Sequence, residues 1–206
     1  LGLIVMALTV LFAWRYRATN RDARPVKKAQ VRERACAPIR LRANVRMRSP
    51  RRETFRMEFF DRLTEEQAQF IARQPVFFVA TAAAGARINL SPKGADSFRV
   101  FSPDRVGYLD MGGSGNETHA HLAADGRITV LFCAFDQPPL ILRIHGKGRS
   151  VLPDEAEWDE HVVHFAPLPG VRQIFVIDVV SVQTSCGWGV PLMKLERPRE
   201  LSTPSE

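Results

Sequence analysis

The short connections set the first limit on what this chain can fold into. Strand-like runs occur at VFFVATA (76–82), RINLS (87–91), FRVF (98–101), RVGYLDM (105–111), RITVLFCAF (127–135) and PLILRIHGKGR (139–149), and most of the gaps between them are only three to six residues. A parallel crossover needs a dozen residues or more, so these strands are expected to pair antiparallel. VRQIFVIDVVSVQTS (171–185) supplies a long last strand, and Asp136-Gln137-Pro138 turns the chain between 127–135 and 139–149. VFFVATA and RITVLFCAF are apolar on both faces and call for cover on both sides. A small closed barrel with helices or a second subunit packed outside meets that need and removes exposed edges.

Three helices are expected around the strands. FFDRLTEEQAQFIARQ (59–74) places Thr64 and Gln67 at capping-box spacing, carries Leu63, Phe70 and Ile71 as an apolar stripe, and ends at Pro75. NETHAHLAA (116–124) is closed by Asp125-Gly126, and PDEAEWDEHVVHF (153–165) has acids in its first turns, which suits the helix dipole.

The net charge of +7 is unevenly spread. Residues 1–56 hold 15 of the 29 Lys and Arg but 3 of the 22 acids, so residues 57–206 carry 14 basic and 19 acidic groups. The folded part therefore offers no electrostatic case for nucleic acid. The first 14 residues, LGLIVMALTVLFAW, are apolar but short of the ~20 needed to span a bilayer as a helix. The segment 1–56 fits a mis-assigned start with Met57 as the first residue, a remnant of a membrane anchor, or a disordered basic extension, in that order of preference. Globular patterning runs over 57–195, and 196–206 form a polar tail. Cys36, Cys133 and Cys186 are odd in number and far apart, which suits a reducing, cytoplasmic setting and argues against disulfides or a zinc site.

Two strands carry polar stripes. Alternation puts Arg87, Asn89 and Ser91 on one face and Ile88 and Leu90 on the other, with Lys93 just beyond, a donor set suited to an anionic ligand. In residues 139–149, Arg143, His145, Lys147 and Arg149 share a face that is either solvated or faces a ligand phosphate or partner. GGSGNE (112–117) lacks both the Walker and the dinucleotide-fold spacing. A strand, a flexible turn and a helix start still make an anion site. Ser114 to Glu117 also reads as a capping box, and local sequence alone favours that self-satisfied helix start. His161 and His164 have metal-compatible spacing but no third ligand nearby, so no metal is expected. No nucleophile-plus-base arrangement stands out.

Taken in order, FFVATAAAGARINLSPKG, VGYLDMGGSGNETHAHLAADGRITVLFCAF and ILRIHGKGR resemble the pyridoxamine 5′-phosphate oxidase-like family of FMN-binding split barrels over about residues 60–190. The resemblance implies a mainly β (α+β) fold, a six-stranded antiparallel split β-barrel with a few peripheral helices, acting as a homodimer with FMN in the subunit interface. It further implies that Arg87, Asn89 and Ser91 line the flavin ring and ribityl chain and that Lys93 lies near the phosphate. Ser114 and Asn116 would help to hold the phosphate, with Glu117 pointing away, towards the 143–149 stripe. Trp188 in CGWGVP resembles the aromatic that closes over the flavin, often from the other subunit. True oxidases of this type carry basic residues at the helix start, where this chain has Gly115 and Glu117, and a substrate-phosphate clamp near the C-terminus that MKLERPRELSTPSE does not match. The implied activity is an FMN-dependent oxidoreductase acting on a small molecule. A non-catalytic flavin or haem-binding module and a deazaflavin-dependent reductase are the alternatives. Nucleic acid is not an expected partner, and contact with a membrane is expected only through residues 1–14.

Overall fold

The computed structural model describes residues 57–113 and 115–199, so the readings of the segment 1–56 lie outside the described residues. The elements follow as β1 (Glu58–Phe60), α1 (Glu65–Ala72), β2 (Phe77–Thr81), β3 (Asn89–Lys93), β4 (Phe98–Ser102), β5 (Arg105–Met111), α2 (Glu117–Ala124), β6 (Arg127–Cys133), β7 (Leu140–Val151), α3 (Trp158–Val162) and β8 (Val171–Cys186). All pairings are antiparallel, in the order β3-β2-β6-β7-β8-β5-β4, and β1 pairs with the later part of β8. The described sheet thus has eight strands, not six. β1 lies at the start of the segment expected to be helical. Its three residues have no strand signal of their own and are held by pairing with Val182–Thr184. Helix α1 begins only at Thr64, where the expected capping box forms: the Thr64 hydroxyl accepts from the Gln67 amide and the Gln67 side chain accepts from the Thr64 amide. Among the described residues no helix is long and apolar enough to cross a membrane.

Aromatic side chains show how the sheet curls. Phe77 on β2 meets Phe98 on β4 at 5.1 Å and Tyr108 on β5 at 5.6 Å between ring centroids, and Phe98 meets Phe132 on β6 at 5.0 Å. These strands lie towards opposite ends of the sheet order, so the sheet wraps around one core. Val79, Val106, Tyr108, Val130, Phe132, Leu142, Ile144, Phe175 and Ile177 fill it, all at most 1% exposed. Burial of each such side chain stabilises the fold by about 1.5–3 kcal/mol before entropy is counted. The edge strands β3 and β4 are joined by a tight turn but not paired with each other, which leaves the barrel split. In that turn Ala95 and Asp96 are both left-handed, with φ of 59° and 53°. The Arg99 guanidinium holds the turn by donating to both Asp96 carboxylate oxygens at 2.8 and 2.9 Å.

Within one chain the two faces of the sheet are covered unevenly. β5 and β8 are buried on both sides, from Val106 through Asp110 and from Gln173 through Ile177. The outer face of β8 packs with Trp158, Val162 and Phe165 around the short helix α3, which spans five residues of the thirteen expected. The alternate faces of β2 and β6 are only partly covered. Ile88, just before β3, and the outward Leu90 on it are 78% and 66% exposed. β8 also carries two bulges. Arg172 has no partner on β5, where Asp110 pairs with Gln173 and Met111 with Val171, and Val180 has none on β7.

Candidate functional site

The split side of the barrel holds a polar cleft. On β3, Asn89, Ser91 and Lys93 pair with Thr81, Val79 and Phe77, whose side chains are buried, so the polar face of β3 lies on the core side of the sheet. A cavity of about 260 Å³ is lined by these three residues together with Asp110, Met111, Gly113, Gly115, Asn116, Glu117, Thr118 and Arg172.

Asp110 organises the charges. It is only 4% exposed. Its carboxylate accepts from Lys93 Nζ at 3.4 Å, from Arg172 Nε and Nη2 at 3.0 and 2.7 Å, and from Gln173 Nε2 at 2.8 Å. A carboxylate this buried needs such donors to remain charged. Arg172 Nη2 also donates to the Gly115 carbonyl at 3.0 Å, which ties β8 to the approach to α2. Gln173 Nε2 donates in addition to Asn116 Oδ1 at 2.8 Å. Asn89 Nδ2 donates to Thr118 Oγ1 at 3.1 Å. Two buried atoms beside this network have no hydrogen-bond partner among the described residues: Gln173 Oε1 and the Tyr108 hydroxyl. Burial raises the pKa of the Tyr108 phenol, and the charge of Asp110 adds to the rise. The Thr118 hydroxyl acts in the opposite direction and tempers that shift.

The helix start departs from its local sequence reading. Asn116, not Ser114, is the N-cap of α2, and its side chain accepts from Gln173 instead of capping its own helix. The N-cap thus falls two residues later than a Ser114–Glu117 capping box would put it. Ser114 itself lies outside the described residues. Glu117 does not point to the 143–149 stripe; its carboxylate turns back over Gly115, where a glycine leaves room for it. The stripe is engaged elsewhere. Arg143 donates to Ser185, Lys147 to the Asp125 carbonyl, and Arg149 pairs with Glu157. His161 and His164 both pack on the ring of Phe101, at 4.9 and 5.2 Å.

Of the residues singled out from sequence, Asn89, Ser91, Lys93 and Asn116 meet at the cleft. Arg87 precedes β3, is exposed and does not line it. Trp188 is 60% exposed and follows Cys186, at the opposite end of β8 from Arg172. Within one chain, Trp188 does not join the others. Sequence reasoning passed over Asp110, Arg172 and Gln173. A single acid inside the apolar run VGYLDM was the available signal, since a carboxylate in a buried strand needs a partner. Arg172 supplies, from β8, the cation that the start of α2 lacks.

The chain is thus a split antiparallel barrel with a cation-bearing cleft beside its edge strand β3. Residues 63–186 match the family described as pyridoxamine 5′-phosphate oxidase, and the chain belongs to that family. The pyridoxamine 5′-phosphate oxidase family protein ustO of Aspergillus flavus is 40% identical over 151 residues, which are 71% of this chain. The chain spans 61% of that relative's length. Among solved structures, a putative pyridoxamine 5′-phosphate oxidase from Lactobacillus delbrueckii is 17% identical and has a TM-score of 0.49, covering 60% of this chain and 94% of that one. An FMN-binding protein from Syntrophomonas wolfei is 12% identical with a TM-score of 0.41, covering 57% and 80%.

Proposed function

We propose that this chain binds FMN and serves as a flavin-dependent oxidoreductase acting on a small molecule. The observation that carries the reading is the convergence of Lys93 and Arg172 on the cleft beside Asn116, at the place where family membership leads one to look for a phosphate. The residues present fit such a group. Two cations suit a phosphate, Ser91 and Asn89 suit hydroxyls, and Gln173 Oε1 and the Tyr108 hydroxyl, without partners among the described residues, leave hydrogen-bonding capacity beside the cleft.

Size supports a divided arrangement. Ligand pockets commonly measure about 300–1,000 Å³, so a cavity of about 260 Å³ suits the phosphate end and leaves a ring system to lie beyond it. A second copy of the chain, docked on the outer face that bears Ile88 and Leu90, would complete the site and could bring its own Trp188 to it. The chemistry supplied by a bound flavin is hydride or electron transfer, with the protein contributing binding, orientation and local polarity. Lys93 and Arg172 hold the phosphate, Asn116 helps to place it, and Asp110 keeps both cations aimed. A cytoplasmic setting agrees with two free cysteines among the described residues.

The test is the visible absorption spectrum and sedimentation of the purified full chain. A dimer showing the two bands of oxidised flavin supports the proposal. A Soret band in their place points to the haem-binding alternative. A colourless protein that also fails to take up added FMN sinks the flavin reading.

A further inference from the structure

We propose that the carboxylate of Glu117 is a resident anion of the cleft, displaced when a phosphate-bearing ligand enters, and that it sets how strongly the site selects for that phosphate. The inference rests on the flavin-phosphate reading and adds a residue to it.

Four side chains dominate the charge of the cleft. Lys93 and Arg172 are positive and Asp110 and Glu117 negative, so the site as built is formally neutral. An incoming dianion gains net attraction only if one carboxylate leaves. Asp110 is fixed, being 4% exposed and bound by donors from Lys93, Arg172 and Gln173. Glu117 is exposed and in no ion pair among the described residues. It is the first residue of an eight-residue helix, where free backbone N–H groups favour negative charge. Its carboxylate folds over Gly115 within the cleft, in space that any side chain at 115 would claim. Gln173 stands behind the cleft and holds two of the residues that line it, Asp110 and Asn116. It is 1% exposed, bonds Asn116 and Asp110 through Nε2, and leaves Oε1 without a partner among the described residues. An anion that swings is a cheap competitor: it balances the cations when the cleft is otherwise empty and yields to a ligand with more charge and more acceptors.

The full chain and its Glu117→Gln variant are titrated with FMN and with riboflavin, which lacks the phosphate, at low and high salt. The variant is expected to bind FMN about two- to fivefold more tightly at low salt, the range of one helix-terminal charge. The gain should shrink at high salt, and riboflavin should show none. Gly115→Ala places a methyl where the carboxylate rests and should shift FMN affinity in the same direction with the charge intact. Unchanged or weaker FMN binding by Glu117→Gln, with the parent chain still binding FMN, overturns the role of Glu117 alone. An equal gain for riboflavin overturns it too. Failure of both proteins to bind FMN removes the flavin reading and this inference together.

Discussion

Arg172 reaches Asp110 because it is the extra residue of a β-bulge. Asp110 pairs with Gln173 and Met111 with Val171, so Arg172 stands between them unpaired and sends its guanidinium to the Asp110 carboxylate at 2.7 Å. In an unbroken ladder, Arg172 and Gln173 would point to opposite faces. The bulge lets both reach one buried carboxylate, the use to which bulges beside functional sites are put.

Removing either cation should therefore weaken a phosphate ligand selectively. Lys93→Ala and Arg172→Ala are each expected to lower FMN affinity about ten- to a hundredfold, the range for loss of one charge-assisted contact. Arg87→Ala should change it little, because Arg87 lies off the cleft. Quenching of flavin fluorescence measures all three, and an Arg87→Ala loss equal to that of Lys93→Ala would contradict this placement of the phosphate.

Stability should fall on mild acidification because of His161. The residue is 3% exposed, and burial holds its pKa below the ordinary 6.5, with Arg149 and Arg105 acting the same way and Glu160 and Glu157 opposing. The folded state thus keeps the imidazole neutral while the unfolded chain takes up a proton. Stability attributable to His161 is whole above pH ~6.5 and is lost as the pH drops towards the folded-state pKa. Thermal unfolding between neutral and mildly acid pH should show the slope, and His161→Phe, which keeps a ring against Phe101, should flatten it.

Gly107 is required by packing. A Cβ there would lie 2.8 Å from the Phe175 carbonyl oxygen and 2.6 Å from the Phe101 ring. Gly107→Ala should destabilise the fold by about 1–3 kcal/mol, the usual range for overpacking. The midpoint of urea unfolding reads this directly.

Ala95 invites the opposite change. Its left-handed conformation is one that a side chain adopts at a cost of about 1–2 kcal/mol. Ala95→Gly relieves that strain but loosens the unfolded chain, so a net gain of about 1 kcal/mol or less is expected. A drop in unfolding midpoint would show that Ala95 makes contacts worth more than its strain.

Much of the fold was legible because local signals and tertiary structure agree in places. RVGYLDM matches β5 at both ends, and Thr64 with Gln67 marks the start of α1. Strand RINLS lies two residues early; the real strand runs on through Pro92 to Lys93, and an edge strand tolerates the proline. The long run 153–165 shrank to five helical residues although its acids are well placed for a helix start. Half of the cleft was readable, because Asn89, Ser91 and Lys93 follow simple alternation. The other half was not. Arg172 comes into position through a register shift, and register belongs to two strands sixty residues apart. Asn116 was placed correctly by position, yet it works through Gln173 and not as a cap for its own helix.

The two-faced strand β3 has a consequence for how the molecule responds to its surroundings. One five-residue edge element presents Asn89, Ser91 and Lys93 to the cleft and Leu90 to the outside, and among the described residues its ladder partner is β2 alone. Ordering such an element carries an entropic penalty that falls once, whichever face is engaged first. Occupation of the cleft and covering of the outer face are therefore thermodynamically linked: each should tighten the other by the same factor, with no change of shape needed to carry the message.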